Sequence, residues 1–388
     1  MNILIINYEY PPLGGGGGVF SRDLAEELAK NNDVDVLTTH FKGLKKEETV
    51  NGVNIHRVWV PGRRSLYSAT MVSLLFFPLS GAIKGLRLLR KKKYDIINTH
   101  FAVPTGPAGL ALSALSGIPN ILNLPGGDIY DPSKKTSPHR HALLRWTVRN
   151  IINRASKVIT ESTNIANYAK KFYKPSKDIT VIPLGIPEPG LKAVGREELD
   201  LKKDGLYLVS VGRLVKRKGY DFLIKALSLL RKETPEIDLI LIGDGPERGS
   251  LEKLSDELEI SGRIIFPGAV SDEEKLQYLA ASDIYVLSSL HEGFGIVLLE
   301  AMFCGLPIIA TNEGGQTDFI KDGSNGLLVS PADAKALADA ISGLAADADR
   351  RHAMGGTNKE AAKQYNISSI ANRYAELFHG IITQRETK

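Results

Sequence analysis

Cysteine is nearly absent: one residue, Cys304, in a chain of 388. A single thiol allows neither an internal disulfide nor a cysteine-built metal cluster, which fits a reducing cytoplasm. It falls in an apolar helical stretch, where a small core residue is its expected role. No basic region followed by a long apolar stretch precedes the opening MNILIIN, so a cleaved signal peptide is not expected. Zinc modules, RNA-recognition signatures and regular basic helices are also missing, and nucleic acid is not an expected partner. Apart from five successive glycines, Gly14–Gly18, there are no repeats or low-complexity tracts.

What is present describes a soluble globular protein, with 43% hydrophobic and 24% charged residues. Its length suits two domains, each with its own core. Charge is divided unevenly along the chain. Residues 1–190 carry 25 Lys and Arg against 14 Asp and Glu, a net of +11, and the remainder carries −6. The first half is therefore expected to face something anionic, such as a membrane surface or a phosphate-bearing acceptor.

Short apolar runs alternate with helical spacing. Strands are expected at Met1–Asn7, Val34–Leu37, Asp95–Asn98, Asn120–Leu124, Ser156–Glu161 and Ile179–Pro183, with helices at Val19–Lys30 and Gly109–Ser116. The stretch Pro183–Lys203, rich in proline and charge, breaks the pattern and reads as an interdomain linker. A second alternation follows. Its strands are Leu206–Val211, Asp238–Ile242, Ile264–Phe266, Ile284–Leu287 and Ile308–Ala310, and its helices are Tyr220–Arg231, Glu247–Leu258, Asp272–Ala281 and Ile296–Phe303. Helices Asp333–Ala346 and Ile367–Ile382 end the chain. The pattern implies an α/β protein with doubly wound parallel sheets.

The segment His291–Gly315 is the most informative. Glu292 and Glu300, separated by seven residues, flank Gly293-Phe294-Gly295, a turn that opens an apolar helix with Ile296 and Val297. Unpaired N–H groups and the dipole at a helix start suit a phosphate, and glycines allow close approach. Carboxylates at either end can accept from sugar hydroxyls. These parts describe a pocket for a nucleotide diphosphate-sugar. Arg213 and Lys218 follow a strand end and supply a planar fork and a point charge for a diphosphate, whereas Lys216 and Arg217 read as a solvated face. Gly243–Pro246 and Pro267–Val270 sit at the carboxyl edge of the second sheet, where ligands bind in open α/β folds.

Gly14–Gly18 is a poor dinucleotide fingerprint, because Thr38-Thr39 stands where an acid would hold a ribose. It suits approach by the donor's phosphate or the acceptor, with Gly17 and Gly18 nearest the helix. Asp33-Val34-Asp35 and Asp347-Ala348-Asp349 match D-x-D formally but lie away from the expected ligand edge, and no metal is expected. In Leu66–Lys93 the apolar run Met71–Leu79 is too short to span a bilayer and is interrupted by Pro78. With Arg63, Arg64, Lys84, Arg87, Arg90 and Lys91–Lys93 it reads as an interfacial patch, the alternative being a buried helix with a solvated basic end.

In order, Gly14–Gly18, Val211-Gly212-Arg213-Leu214 with Lys218-Gly219, Gly243-Asp244-Gly245-Pro246 and the E-x7-E segment resemble the retaining glycosyltransferases of family four. The resemblance spans roughly residues 1–330. It implies a GT-B-like fold, with two Rossmann-like domains facing a cleft: an acceptor-side domain at 1–187, a donor domain at 188–366, and a terminal helix at 367–388 returning to the first domain. It implies an enzyme of hexosyltransferase type, with a nucleotide diphosphate-sugar donor, a UDP-sugar by preference, and an acceptor hydroxyl that extends to lipid-linked and cell-surface glycans. Donor contacts would come from Gly17, Gly18, Gly212, Arg213, Lys218, Gly245, Val270, Gly293, Phe294, Gly295, Ile296 and Val297. Glu300 would hold the ribose, Glu292 the sugar, and the loop at Val270 the base through backbone atoms.

The resemblance further implies same-face attack, with the leaving phosphate accepting the acceptor's proton, and no cofactor or fixed metal. Glu292, Arg213, Lys218 and Asp128 are the candidate catalytic residues. One departure stands out: Pro125-Gly126-Gly127-Asp128 matches the family's His-Gly-x-Asp, so Pro125 replaces a histidine that faces the sugar. His100, expected just after its strand, could reach the cleft or be structural. A cytoplasmic enzyme, peripheral on the inner membrane face, is expected. A sugar-nucleotide epimerase of similar fold and a non-catalytic nucleotide-sugar binding protein are the alternatives.

Overall fold

A computed structural model describes residues 1–66, 69–190, 194–231 and 237–386. The linker expected at 183–203 falls partly on residues 191–193, outside the described residues, as do positions 67–68 of the apolar-basic segment and 387–388 of the terminal stretch. The chain divides into two compact units, Met1–Pro187 with Asn366–Lys388, and Glu188–Tyr365. Asn366, assigned to the second domain from the sequence, belongs with the first unit, where its backbone bridges Ile186.

The first unit holds strands β1 (Asn2–Ile6), β2 (Asp33–Thr39), β3 (Glu47–Val50), β4 (Val53–Val58), β5 (Ile96–His100), β6 (Asn120–Leu124), β7 (Lys157–Thr160) and β8 (Ile179–Val181). They form one sheet in the order β3-β4-β2-β1-β5-β6-β7-β8, parallel except for the β3–β4 hairpin. Its helices are α1 (Gly16–Ala29), α2 (Met71–Lys91), α3 (Gly106–Ser116), α4 (Ala142–Arg154) and α5 (Thr163–Tyr173). Strands such as β1 and β5 are apolar along their length because helices cover both faces.

The second unit holds β9 (Leu206–Val211), β10 (Ile237–Ile242), β11 (Ile264–Gly268), β12 (Ile284–Leu287), β13 (Ile308–Thr311) and β14 (Gly326–Val329), in the parallel order β11-β10-β9-β12-β13-β14. Around it lie α6 (Tyr220–Leu229), α7 (Arg248–Glu257), α8 (Asp272–Ala281), α9 (Ile296–Phe303), α10 (Ala334–Ala345) and α11 (Ala348–Ala362). The last helix, α12 (Ile367–Glu386), packs on α1 of the first unit, where the Ser368 hydroxyl donates to Glu27 at 2.9 Å.

Strand order positions the ligand edges. In the first sheet, succession runs one way from β1 and the other way from β5, so the crevice at the carboxyl edge opens between them. In the second it opens between β9 and β12. One expectation is overturned here. Pro78 does not interrupt the apolar run: α2 continues through it for 21 residues, long and apolar enough to cross a membrane by length and composition. Proline removes one backbone donor, and the packing of Phe77, Gly81 and Gly85 holds the helix together across the gap.

Candidate active site

The crevice of the second sheet gathers the loops after β9 and β12. Gly212, with φ of +156°, lies so close to the loop after β10 that a Cβ at Gly243 would come within 2.0 Å of its carbonyl oxygen. Gly245 is pressed equally hard onto Leu214. These glycines are needed where two backbones touch, and Leu214 N–H donates to Asp244 O at 2.9 Å to fasten them. Gly268 O accepts from Gly243 N–H at 2.8 Å, which sets the loop carrying half-buried Val270 at the same edge.

Lys218 and Glu292 meet across the crevice. The ammonium donates to Oε2 at 2.6 Å, and Ser289 Oγ lies 3.3 Å from the same oxygen. Arg217 Nη1 stands 3.6 Å from Oε1 and donates to the His291 carbonyl at 2.6 Å. Burial alone would raise the Glu292 carboxyl, but Lys218 and Arg217 outweigh it and hold its pKa at about 2. It is a carboxylate at neutral pH, an acceptor for hydroxyl donors. Lys218, assigned from the sequence to the diphosphate, thus stands in an ion pair. Arg217, read as part of a solvated face, is a half-buried member of the cluster. Arg213 is exposed, without a side-chain partner among the described residues.

Gly295, left-handed at φ +88°, opens α9 with no side-chain cap, so its first N–H groups have no side-chain acceptor there. Ile296 and Val297 are half-exposed, whereas Phe294 is buried against Phe319 and Tyr365 and presents only backbone. Behind Glu292, a Cβ at Gly314 would come within 2.2 Å of the Glu292 carbonyl oxygen, and Gly315 N–H donates to that oxygen at 2.9 Å. The turn is therefore held from the rear. Glu300, one helix face further on, is paired with Lys275 of α8 at 2.8 Å, both side chains being 16% exposed. Sequence spacing does not reveal Lys275, because the pair joins two separate helices.

The first unit's crevice lies between the loops after β1 and β5. Gly17 faces the Phe101 ring, where a Cβ would sit 3.1 Å away, and Gly18 is pressed onto the Leu13 and Glu9 carbonyls. Gly18 N–H already donates to Gly15 O, and Glu9 Oε2 accepts from Gly15 N–H at 3.3 Å. Asp128 is buried and accepts from Ala102 N–H at 2.5 Å, tying the loop after β6 to that after β5. Burial pushes its pKa up to about 7, against the pull of that N–H. The His100 ring belongs to β5 itself and is buried. Asn123 Nδ2 donates to its Nε2 at 3.1 Å, and burial lowers its pKa to about 3, so the imidazole is neutral. A small recess above it is lined by Gly17, His100, Pro125, Glu161 and Tyr374.

Asp33 and Asp35 are spent on Lys92, and Asp35 also on His56, while Asp347 caps α11. Among the described residues, no group of three or more His, Cys, Asp or Glu could hold a metal ion.

Two family models divide the chain much as its two units do: Glycosyltransferase Family 4 over residues 14–188 and Glycosyl transferases group 1 over 193–361. A putative teichuronic acid biosynthesis glycosyltransferase of Bacillus subtilis, TuaC, is 30% identical over 88% of this chain and 88% of its own. Among solved structures, sucrose-phosphate synthase from Thermosynechococcus elongatus superimposes with a TM-score of 0.86 at 24% identity, over 99% of this chain and all of its own. Anabaena HepE, in complex with UDP and glucose, does so at 0.77 and 23% identity, over 98% of this chain and 100% of its own. The fold and the site together define a glycosyltransferase of the GT-B type. The chain belongs to the family-four-like glycosyltransferases.

Proposed function

We propose that this enzyme moves a hexose from a UDP-sugar to an acceptor hydroxyl with retention of configuration. The acceptor class is lipid-linked or cell-surface glycan, and the working place is the cytoplasmic face of a membrane. The observation that carries the donor half is the junction of Lys218, Arg217 and the ionised Glu292 beside the uncapped start of α9. Cations and helix N–H groups suit a diphosphate, and an ionised carboxylate suits neutral hydroxyls. HepE, crystallised with UDP and glucose, supports UDP as the nucleotide.

Glu300 takes the ribose hydroxyls and Glu292 those of the sugar. Arg213 and Lys218 stabilise charge on the departing diphosphate, the main electrostatic demand of the reaction, and no bound metal is required. As the bond from the anomeric carbon to the phosphate oxygen breaks, the acceptor oxygen bonds to the same face and its proton passes to the leaving phosphate. His100, neutral and buried, and Asp128, bonded to Ala102, shape the acceptor-side loops rather than exchanging that proton.

Calorimetry with UDP-, GDP- and ADP-sugars tests the donor; a ligand at a hundredfold excess over its Kd adds about 2.7 kcal/mol to stability. Transfer to a glycan acceptor, followed by NMR of the new anomeric centre, tests retention. An inverted product would sink the mechanism, and a new sugar nucleotide formed from donor alone would mark an epimerase.

A further inference from the structure

Helices α2, α3 and α4 stand side by side on one face of the first sheet. Gly85 of α2 backs onto α3, where a Cβ would come within 2.4 Å of Leu112, and Gly81 backs onto Ala108. On the other flank, a Cβ at Gly106 of α3 would lie 2.7 Å from Ile151 of α4. Small residues bring the three helices together. Each follows a strand of the sheet, so all three start at its carboxyl edge, the edge that carries the glycine loop and Asp128.

Their outer surface is apolar. Met71, Val72, Leu75, Phe76, Leu79 and Ile83 form a stripe along α2, between 45% and 71% exposed, opposite the buried Phe77, Gly81 and Leu88. On α4, Leu143 is 74% and Trp146 64% exposed, and Trp59, just beyond β4, is 69% exposed. The chain has two tryptophans, and both are exposed.

The charge on this surface is mostly positive, with Lys84 of α2 paired to Glu47 of β3. The three helices contain seven Lys and Arg and no acid. From residue 49 to 160 the acids are Asp95, Asp128 and Asp131. The last two are buried, and Asp95 accepts from the Asn2 N–H. An exposed apolar stripe, exposed tryptophans and an excess of cations match an anionic leaflet better than a folded protein surface. Although α2 is long enough to span, its inner side is built into the unit. Phe77 packs edge-on to Tyr8 at 5.4 Å, and Tyr8 shares a 2.7 Å hydrogen bond with Ser73. It lies on a surface; it does not cross one.

We infer that the outer face of α2 and α4, with Trp59, docks on an anionic lipid bilayer and inserts its apolar side chains among the head groups. This rests on the lipid-linked acceptor reading for its purpose. The lead-in to α2 is bonded to the glycine loop, since Leu66 O accepts from Gly14 N–H at 2.9 Å and from Arg63 at 3.1 Å. Docking therefore fixes the loop edge of this unit beside the leaflet that presents the acceptor.

The full chain is mixed with phosphatidylcholine vesicles, with and without phosphatidylglycerol, at about 0.1 M and about 1 M salt, where the Debye length falls from about 10 to about 3 Å. The expected result is sedimentation with anionic vesicles at low salt, a blue-shifted tryptophan emission, and quenching by acyl-brominated lipid in both Trp59→Phe and Trp146→Phe variants. Arg87→Gln with Arg149→Gln is expected to weaken binding about 25-fold, at about fivefold per cation. Leu75→Gln with Leu79→Gln is expected to abolish quenching while UDP binding by calorimetry is unchanged.

Failure to sediment, sedimentation without quenching, or equal binding to neutral vesicles would each overturn the inference. So would a dimer, seen by sedimentation velocity, that the Leu75 and Leu79 changes dissolve. Docking without UDP binding would instead defeat the UDP-donor reading alone, and UDP binding without docking would defeat this one alone.

Discussion

Replacing Lys275 by Met tests whether the second carboxylate of the E-x7-E segment grips a ribose. Glu300 and Lys275 are 2.8 Å apart and mostly buried, so the cation holds the carboxylate ionised and fixes its orientation. The α9 backbone is anchored by Leu298, Leu299, Ala301 and Met302, all fully buried, so the side chain alone responds to the change. A hydrogen bond to a charged group is worth about 1.5–3 kcal/mol, or roughly 10- to 150-fold in Kd. Glu300→Gln should therefore weaken UDP binding by at least about tenfold. Lys275→Met, which loosens the acceptor without deleting it, should cost less, roughly three- to tenfold. The diagnostic comparison is UDP against 2′,3′-dideoxy-UDP by calorimetry: the wild type should prefer UDP, and both variants should lose that preference, not affinity for the diphosphate in general. Equal weakening for the two nucleotides, or unchanged affinity in Glu300→Gln, would refute the ribose assignment. Loss in Glu300→Gln alone would refute only the role of Lys275.

Lys218→Met leaves Glu292 buried beside Arg217 alone and should cost about 3 kcal/mol in urea denaturation, toward the lower end for a broken buried pair. The pH response has two arms. The Glu292 carboxyl is depressed to about 2, so its stabilising effect is full above its ordinary value near 4.5 and lost as pH falls from there toward 2. Asp128 is raised from 3.8 to about 7, so its contribution is full below 3.8 and lost as pH rises through 7; Asp128→Asn should flatten the fall in Tm between pH 5 and 8. Gly314→Ala combines a positive φ of 137° with a collision at the Glu292 carbonyl, and should lose at least about 2 kcal/mol by thermal unfolding along with donor affinity.

Legibility in the sequence followed burial. The strands β9 and β12 and the helices α8 and α9 appear with their bounds unchanged: glycines bracket the apolar β9 and precede the apolar α9, Asp283 and Ser288 bracket the apolar β12, and a Ser271–Glu274 capping box starts α8. The β3–β4 hairpin is marked in the sequence only by Asn51-Gly52, both at positive φ, because β3 is largely exposed and the buried β4 mixes His56 and Arg57 with its apolar residues. Helix α11 leaves little trace in the sequence, because it has little amphipathic character and two central glycines. Gly355 is required there, since a Cβ would come within 2.1 Å of Gly305 O. The cluster around Glu292 was half legible. Its carboxylate and its lysine stand in recognisable motifs, but their pairing and the share taken by Arg217 depend on two loops 74 residues apart meeting at one crevice.

That pairing bears on how the proposed reaction would be driven. Before the donor arrives, Glu292 occupies Lys218, and the two keep one another ionised and oriented in a buried place where either alone would be costly. On the proposed reading, a diphosphate entering at the start of α9 would compete for Lys218, and the sugar hydroxyls arriving with it would replace the lysine as donors to Glu292. Each charge exchanges one partner for another, so neither has to be desolvated anew. With Arg217 at 3.6 Å as well, two cations face one carboxylate, and the local excess of positive charge is opposite in sign to the charge of a leaving nucleoside diphosphate. On that reading the field would be in place before the bond to the leaving phosphate breaks, where it would favour the charge-separated transition state over the intact donor.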